Sequence, residues 1–312
     1  MNKYLKEYKW SNIFDMMRNN KNDPKVCNDS AKGKFTVISG TTSGIGYCAA
    51  VEYATKGSDL LFINRNEEKT IKLCNEFRDK YNIKCDYLIC DYTSLDQVKD
   101  LGLKLSKIEQ NIDVFIHNAG TYLTTKQFTK DNIETVFQVN YLSSFILNYM
   151  LKDKFAKQKQ TKILFVNSEG HRFALSGVLI DDLDWKKHHY TGLKGYGNAK
   201  TAQILSMTTL SKYYEGLNIT INSMHPGNVK SNMGENNGKL YRIFKHLLVL
   251  PSSRPPEIAG KALYYLGISK EVEKDNGYFF NLTEKEIPAP HALDKEMAFK
   301  LWDKSISLSG LK

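Results

Sequence analysis

The 312-residue chain predicts an α/β fold of three layers: a doubly wound sheet of about seven mainly parallel strands with helices on both faces. Three observations lead there. From Lys34 onward, short apolar runs alternate with longer stretches of helical periodicity, the pattern of βαβ units. A glycine-rich turn follows the first of these runs. Polar residues of unusual type then stand immediately after the predicted strands, where the ligands of such sheets bind.

The predicted strands are FTVIS (Phe35 to Ser39), LLFIN (Leu60 to Asn64), DYLIC (Asp86 to Cys90), DVFIH (Asp113 to His117), KILFV (Lys162 to Val166), ITINSM (Ile219 to Met224) and GYFFN (Gly277 to Asn281). Their nearly continuous apolar or β-prone character is that of strands covered on both faces. Between them, Asn66 to Lys80, Ser94 to Lys107, Asn132 to Lys157 and Gly197 to Tyr214 carry apolar residues at three- and four-residue spacing, which predicts helices. Right-handed crossovers wind these units onto both faces of one sheet. No repeat or linker interrupts the pattern after Lys34. Residues 34–312 therefore read as one domain, preceded by an extension over 1–33 that reads as helical.

Hydrophobic residues make up 41% of the chain and aromatics 12%, enough to bury a core and to exclude a disordered chain. The formal charge of +10 is scattered, and no basic helix alternates with stacking aromatics, so nucleic acid is not an expected partner. Attraction to phosphorylated cofactors and to acidic membrane surfaces fits that charge. Cys27, Cys48, Cys74, Cys85 and Cys90 form no C-x-x-C pair and have no histidine at ligand spacing; they read as reduced and structural, and no metal is expected. His188 and His189 are adjacent, diverge in direction and read as solvated loop residues. The absence of a signal-like apolar run or a long uncharged span favours a cytoplasmic protein.

Two segments leave peripheral membrane attachment open beside packing on the body or on a second copy in a homo-oligomer. One is the N-terminal stretch, with Tyr4, Leu5, Tyr8, Ile13, Phe14 and Met17 among lysines. The other is KLYRIFKHLLVLP, Lys239 to Pro251.

The first strand runs into SGTTSGIG, with Gly40, Gly44 and Gly46 around Thr42, Ser43 and Ile45. Glycines there let a backbone turn tightly and approach a pyrophosphate at a helix N-terminus, although an ordinary strand-to-helix turn has the same composition. Where an acid would bind the ribose hydroxyls of NAD, the second strand ends in Asn64-Arg65. Arg65 suits a 2′-phosphate and Asn64 does not repel it, so NADP(H) is favoured over NAD(H). Asp91-Tyr92 follows the third strand, His117-Asn118-Ala119-Gly120 the fourth, Ser168 the fifth, and His225-Pro226-Gly227-Asn228-Val229-Lys230-Ser231 the sixth. Tyr196 and Lys200 form a Y-x-x-x-K pair, one turn apart on one helix face. An isolated tyrosine titrates near ~10, and a neighbouring ammonium lowers such a group by roughly 1–3 units. That brings the phenol within range of acid/base work.

Taken in order, these motifs resemble the short-chain dehydrogenase/reductase family, from about Phe35 to the C-terminus, with Ser39, His117, Asn167 and Ser231 departing from its usual residues. NSEGH (Asn167 to His171), the DDL at Asp181 to Leu183, SMHPG (Ser223 to Gly227) and the tail Pro288 to Ser305 resemble its retinol-dehydrogenase-like branch. The resemblance implies a Rossmann-type fold with a substrate lid near 232–256. It implies a catalytic set of Asn140, Ser168, Tyr196 and Lys200, with Asn140 holding a relay water and Lys200 binding the nicotinamide ribose. For the cofactor it implies Gly40, Thr42, Ser43, Gly44, Ile45, Gly46, Asn64, Arg65, Asp91, Tyr92, Asn118, Ala119, Gly120, Pro226, Gly227, Val229 and Ser231. Its substrates are small carbonyls or alcohols, lipophilic in that branch. His171 borders the substrate mouth or is structural. The rival reading is a cofactor-binding sensor without turnover, a class expected to lack the tyrosine or the lysine.

Overall fold

The computed structural model describes residues 3–230, 233–234, 237–238 and 253–311; Ser231, the Lys239–Pro251 segment and most of 232–256 lie outside the described residues. Strands β1 (Phe35–Ser39), β2 (Asp59–Asn64), β3 (Cys85–Ile89), β4 (Val114–His117), β5 (Thr161–Val166), β6 (Ile219–His225) and β7 (Phe279–Asn281) are parallel neighbours. A further strand, β8 (Glu284–Glu286), returns antiparallel along β7. The sheet order is β3-β2-β1-β4-β5-β6-β7-β8. The order reverses between β1 and β4, so the binding crevice of a doubly wound sheet opens beyond their carboxyl ends.

Alternating side chains divide the core in two. Val37, Phe115 and Ile163 face one apolar layer and Ile38, Ile116 and Leu164 the other, all fully or almost fully buried. On the first side pack α4 (Leu95–Ser106), α6 (Ser143–Met150), α8 (Gly192–Tyr213) and α10 (Lys295–Ser309); on the second, α2 (Gly44–Thr55), α3 (Glu67–Tyr81) and α9 (Glu257–Ile268). Several helices start on side-chain caps: Asn66 accepts from Lys69 N, Ser94 from Gln97 N and Thr191 from Lys194 N. Such caps satisfy otherwise orphaned N–H groups.

The stretch predicted as one helix over Asn132 to Lys157 is divided into α5 (Thr135–Phe137), a π-helical turn (Gln138–Leu142), α6 and α7 (Lys152–Ala156). The turn is closed by an i+5 bond from Ser143 N to Gln138 O and places Asn140 where such turns recur at functional sites. Helix α8 begins at Gly192, ahead of the predicted Gly197, because Thr191 caps it, and its first turn holds glycine because a Cβ on Gly192 or Gly195 would lie 2.6 Å from Leu123 O or the Tyr190 ring, respectively.

At the N-terminal end, a 3-10 turn (Lys3–Lys6) precedes α1 (Trp10–Asn19). This segment is tied to the far end of the chain: Tyr4 to Asp294, Asn19 to Glu286, Lys25 N to Thr283, and Asn22 and Asp23 to Arg254. No described helix is long and apolar enough to cross a membrane.

Candidate active site

The glycine turn is built for close approach. Gly40 and Gly44 have φ of 75° and 61°, the left-handed region in which glycine carries no Cβ penalty. A Cβ on Gly46 would lie 2.2 Å from Gly40 O, so the turn and the start of α2 touch backbone to backbone. Ser43 caps α2 without a side-chain bond to its first turn. The leading N–H groups and the positive end of the helix dipole are therefore available to an anion. Thr42 and Ser43 are exposed, and Ile45 is half-buried beside them. These features fit a dinucleotide pyrophosphate.

Several short polar residues predicted to face the cofactor instead brace this loop. Asn64 is buried; its Oδ1 accepts from Thr41 N (2.8 Å) and its Nδ2 donates to Thr41 Oγ1 (2.9 Å). Asn118 Nδ2 donates to Ser39 O and Gly40 O, both at 2.9 Å, while Ser39 Oγ accepts from the N–H groups of Asn118 and Ala119, both at 3.0 Å. Asp91 accepts from both N and Oγ1 of Thr93. The Tyr92 ring lies in the core, where burial raises its phenol above the usual range; its side chain therefore does not line the crevice. Arg65 and Gly120 are exposed at the rim. His117 points inward to Asn148, and burial pulls its imidazole down to about 3.

Beyond β5 the chain enters a 3-10 turn, Glu169–Phe173, capped by Ser168, whose Oγ accepts from Gly170 N at 2.9 Å. Gly170 lets the Tyr196 ring lie flat against this turn: a Cβ there would be 2.7 Å from Tyr196 Cε1 and 3.1 Å from Ser168 Oγ. The ring meets Tyr122 edge-on at 5.7 Å. Lys200, one turn further along α8, is 3% exposed; its Nζ donates to Val166 O (2.7 Å) and sits 5.7 Å from the Tyr196 ring centroid. Burial pulls its ammonium down to about 7, since a low-dielectric pocket disfavours charge. Asn140 clasps the loop after β4 with both side-chain atoms, Oδ1 accepting from Thr121 N (2.7 Å) and Nδ2 donating to Thr121 O (2.9 Å). The structure thus gathers Asn140, Ser168, Tyr196 and Lys200 at one end of the sheet.

Sequence reasoning missed Gly170, Tyr122 and Gln203. Gln203 lies one turn past Lys200, so extending the Y-x-x-x-K face by three residues would have reached it. His171 is structural: it is fully buried, Nδ1 lies 2.9 Å from Ser168 O, and Nε2 accepts from Ala289 N. His225 Nδ1 accepts from Glu169 N, and burial draws this imidazole down to about 3. After β6, Pro226 and Gly227 are buried, with Gly227 at φ 75°, and Val229 bridges to Arg254.

A short chain dehydrogenase family model matches residues 34–178. Human retinol dehydrogenase 13 is 29% identical over 287 residues, covering 90% of this chain and 86% of its own. The short-chain dehydrogenase TIC 32 A of Brassica napus is 28% identical, with 89% of each chain covered. A short chain dehydrogenase from Shigella flexneri 2a, solved in complex with NADP, superposes with a TM-score of 0.65 at 18% identity, over 82% of this chain and 99% of that one. Glycine turn, Y-x-x-x-K helix and sheet order agree with these matches, which together support a short-chain dehydrogenase/reductase of retinol-dehydrogenase-like kind.

Proposed function

We propose that this protein is an NADP(H)-dependent oxidoreductase that moves a hydride between nicotinamide and a lipophilic carbonyl or alcohol, with Tyr196 as general acid and base. The carrying observation is the convergence of Ser168, Tyr196 and buried Lys200 at the carboxyl end of β5. Exposed Arg65 after β2, with no acid beside it, supports the phosphorylated cofactor; so does the Shigella structure's NADP. The human relative's name supports a retinoid-like substrate.

Bound NADP(H) supplies or accepts the hydride. In reduction, the Tyr196 hydroxyl donates its proton to the carbonyl oxygen while the Ser168 hydroxyl hydrogen-bonds the same oxygen. In oxidation both roles reverse. The Lys200 ammonium favours the phenolate form of Tyr196 and keeps one N–H for a ribose hydroxyl. An acceptor there restabilises the charge that burial opposes. Initial rates with NADPH and NADH, against all-trans-retinal, a medium-chain aldehyde and a ketosteroid, test the reading. Turnover of at least one substrate, faster with NADPH, is expected; cofactor binding without any turnover would favour the sensor instead.

The same proposal includes peripheral contact with an anionic membrane. On α1, Trp10, Phe14 and Met17 are 78%, 64% and 53% exposed and share one face. Lys6, Lys9 and Lys21 are exposed nearby in the sequence, a charge complementary to acidic head groups, while Lys3 pairs with Asp294 and Arg18 with Asp15. The chain is expected to float with phosphatidylserine-containing vesicles. The double variant W10S/F14S is expected to bind at least roughly tenfold more weakly, given ~1.5–3 kcal/mol per buried aromatic. Wild-type protein that stays unbound would rule this contact out.

A further inference from the structure

We propose that Gln203 is a positioning residue whose side-chain amide holds Lys200 in place against Tyr196 by tying it to the main chain of the π-helical turn that carries Asn140. The proposal rests on the reading of Tyr196 and Lys200 as the proton-handling pair. Gln203 is 2% exposed. Its Nε2 donates to Asn140 O (3.1 Å), and its Oε1 accepts from Asn167 Nδ2 (3.0 Å) and Lys200 Nζ (3.5 Å). Asn167 Nδ2 also donates to Lys200 O (3.1 Å), and its Oδ1 accepts from Ser168 N (2.7 Å). One amide therefore joins the end of β5, the middle of α8 and the π-helical turn.

The partners fix which way this amide points. Turning it over would set the amide nitrogen against the Lys200 ammonium and its oxygen against the Asn140 carbonyl, replacing attraction by repulsion at both ends. The ammonium has three N–H groups on a flexible stem. Val166 O takes one and Gln203 Oε1 a second, which leaves the third for the ligand side of the pocket.

The choice of a neutral acceptor has an electrostatic reason. Burial alone accounts for the lowered ammonium of Lys200. The groups placed against it are the Tyr196 ring, the Val166 carbonyl and the Gln203 amide, with Asn167 bonded to the lysine's own main-chain carbonyl. A carboxylate in the place of Gln203 would charge the lysine fully and also cancel its field at the phenol. An amide steadies the ammonium and leaves that field intact. Asn167, which departs from the serine usual in the family, completes the arrangement by orienting Gln203.

The test needs no substrate. The ultraviolet titration of Tyr196 is obtained by subtracting, in each background, the matching Tyr196→Phe protein. Relative to wild type, Gln203→Met and Gln203→Glu are each expected to move the phenol alkaline by about one unit, a tenfold change in proton affinity. The methionine loosens and discharges the lysine, and the glutamate neutralises it. The alkaline limb of the pH–rate profile for reduction, and the acid limb for oxidation, should move with the phenol. Unchanged phenol titration in a folded Gln203→Met protein of lower Tm would show that Gln203 only fills the core, and would overturn the proposal. Should Gln203→Met not fold, Asn167→Ser is expected to shift the phenol in the same direction by less, and no shift there would overturn it equally. Failure of the acid/base reading is separate: it would appear as undiminished turnover by Tyr196→Phe.

Discussion

Replacing Tyr196 by phenylalanine is expected to lower kcat by roughly 10²–10⁴-fold, the usual worth of a positioned general acid. The substitution removes one oxygen and leaves the ring, which packs on Gly170 and edge-on to Tyr122, so the fold and the glycine turn should be undisturbed. NADPH affinity should accordingly change by less than about threefold, because in the proposed reading the phosphates are held by the glycine turn and Arg65, not by the phenol. Stopped-flow turnover together with equilibrium NADPH titration separates the two quantities. Equal loss of binding and rate would mean that the phenol holds the cofactor and does not move the proton.

The second large effect concerns selectivity. A hydrogen bond to a charged group contributes about 1.5–3 kcal/mol, so Arg65→Ala should weaken NADPH by roughly 10–150-fold and leave NADH nearly unchanged. Arg65 is exposed, and in the free protein its loss removes no packing, which makes the comparison clean. Arg65→Glu should go further and reverse the preference, since a carboxylate both repels the phosphate and accepts from ribose hydroxyls. Kd values for both cofactors, measured at two salt concentrations, provide the check. Parallel weakening of NADH and NADPH by Arg65→Ala would assign the 2′-phosphate to another cation.

Most of the sheet was legible because buried parallel strands leave an unambiguous trace: β1, β5 and β6 are buried along their whole length. Strand β8 left none. Its residues are Glu284-Lys285-Glu286, and it exists because the turn at Leu282, φ 54°, folds it back on β7. The break at Gln138–Leu142 was equally silent, since a π-helical turn inserts one residue without needing glycine or proline.

Within the site, the spacing of Tyr196 and Lys200 could be read directly, because one helix carries both. The direction of short polar side chains could not. Asn64 and Asn118 stand where a cofactor would pass, but each is claimed by a neighbour in the glycine turn, Thr41 or Ser39, that only tertiary structure identifies. Gln203 was hidden for the same reason: its three partners come from three separate stretches of chain.

The docking of the first two dozen residues also sets a timetable. Tyr4 finds its partner 290 residues later in the chain, Asn19 267 later and Asn22 232 later. At a ribosomal rate of about 5–20 residues per second, those partners emerge roughly ten seconds to a minute after the segment itself. For that interval the half-buried Ile13 and Met16 of α1 wait without a surface to close on, while the βαβ units that follow can already assemble. The segment is thus a late clasp, whose contacts with Asp294, Glu286 and Arg254 can form only after strands β1 to β6 have been made.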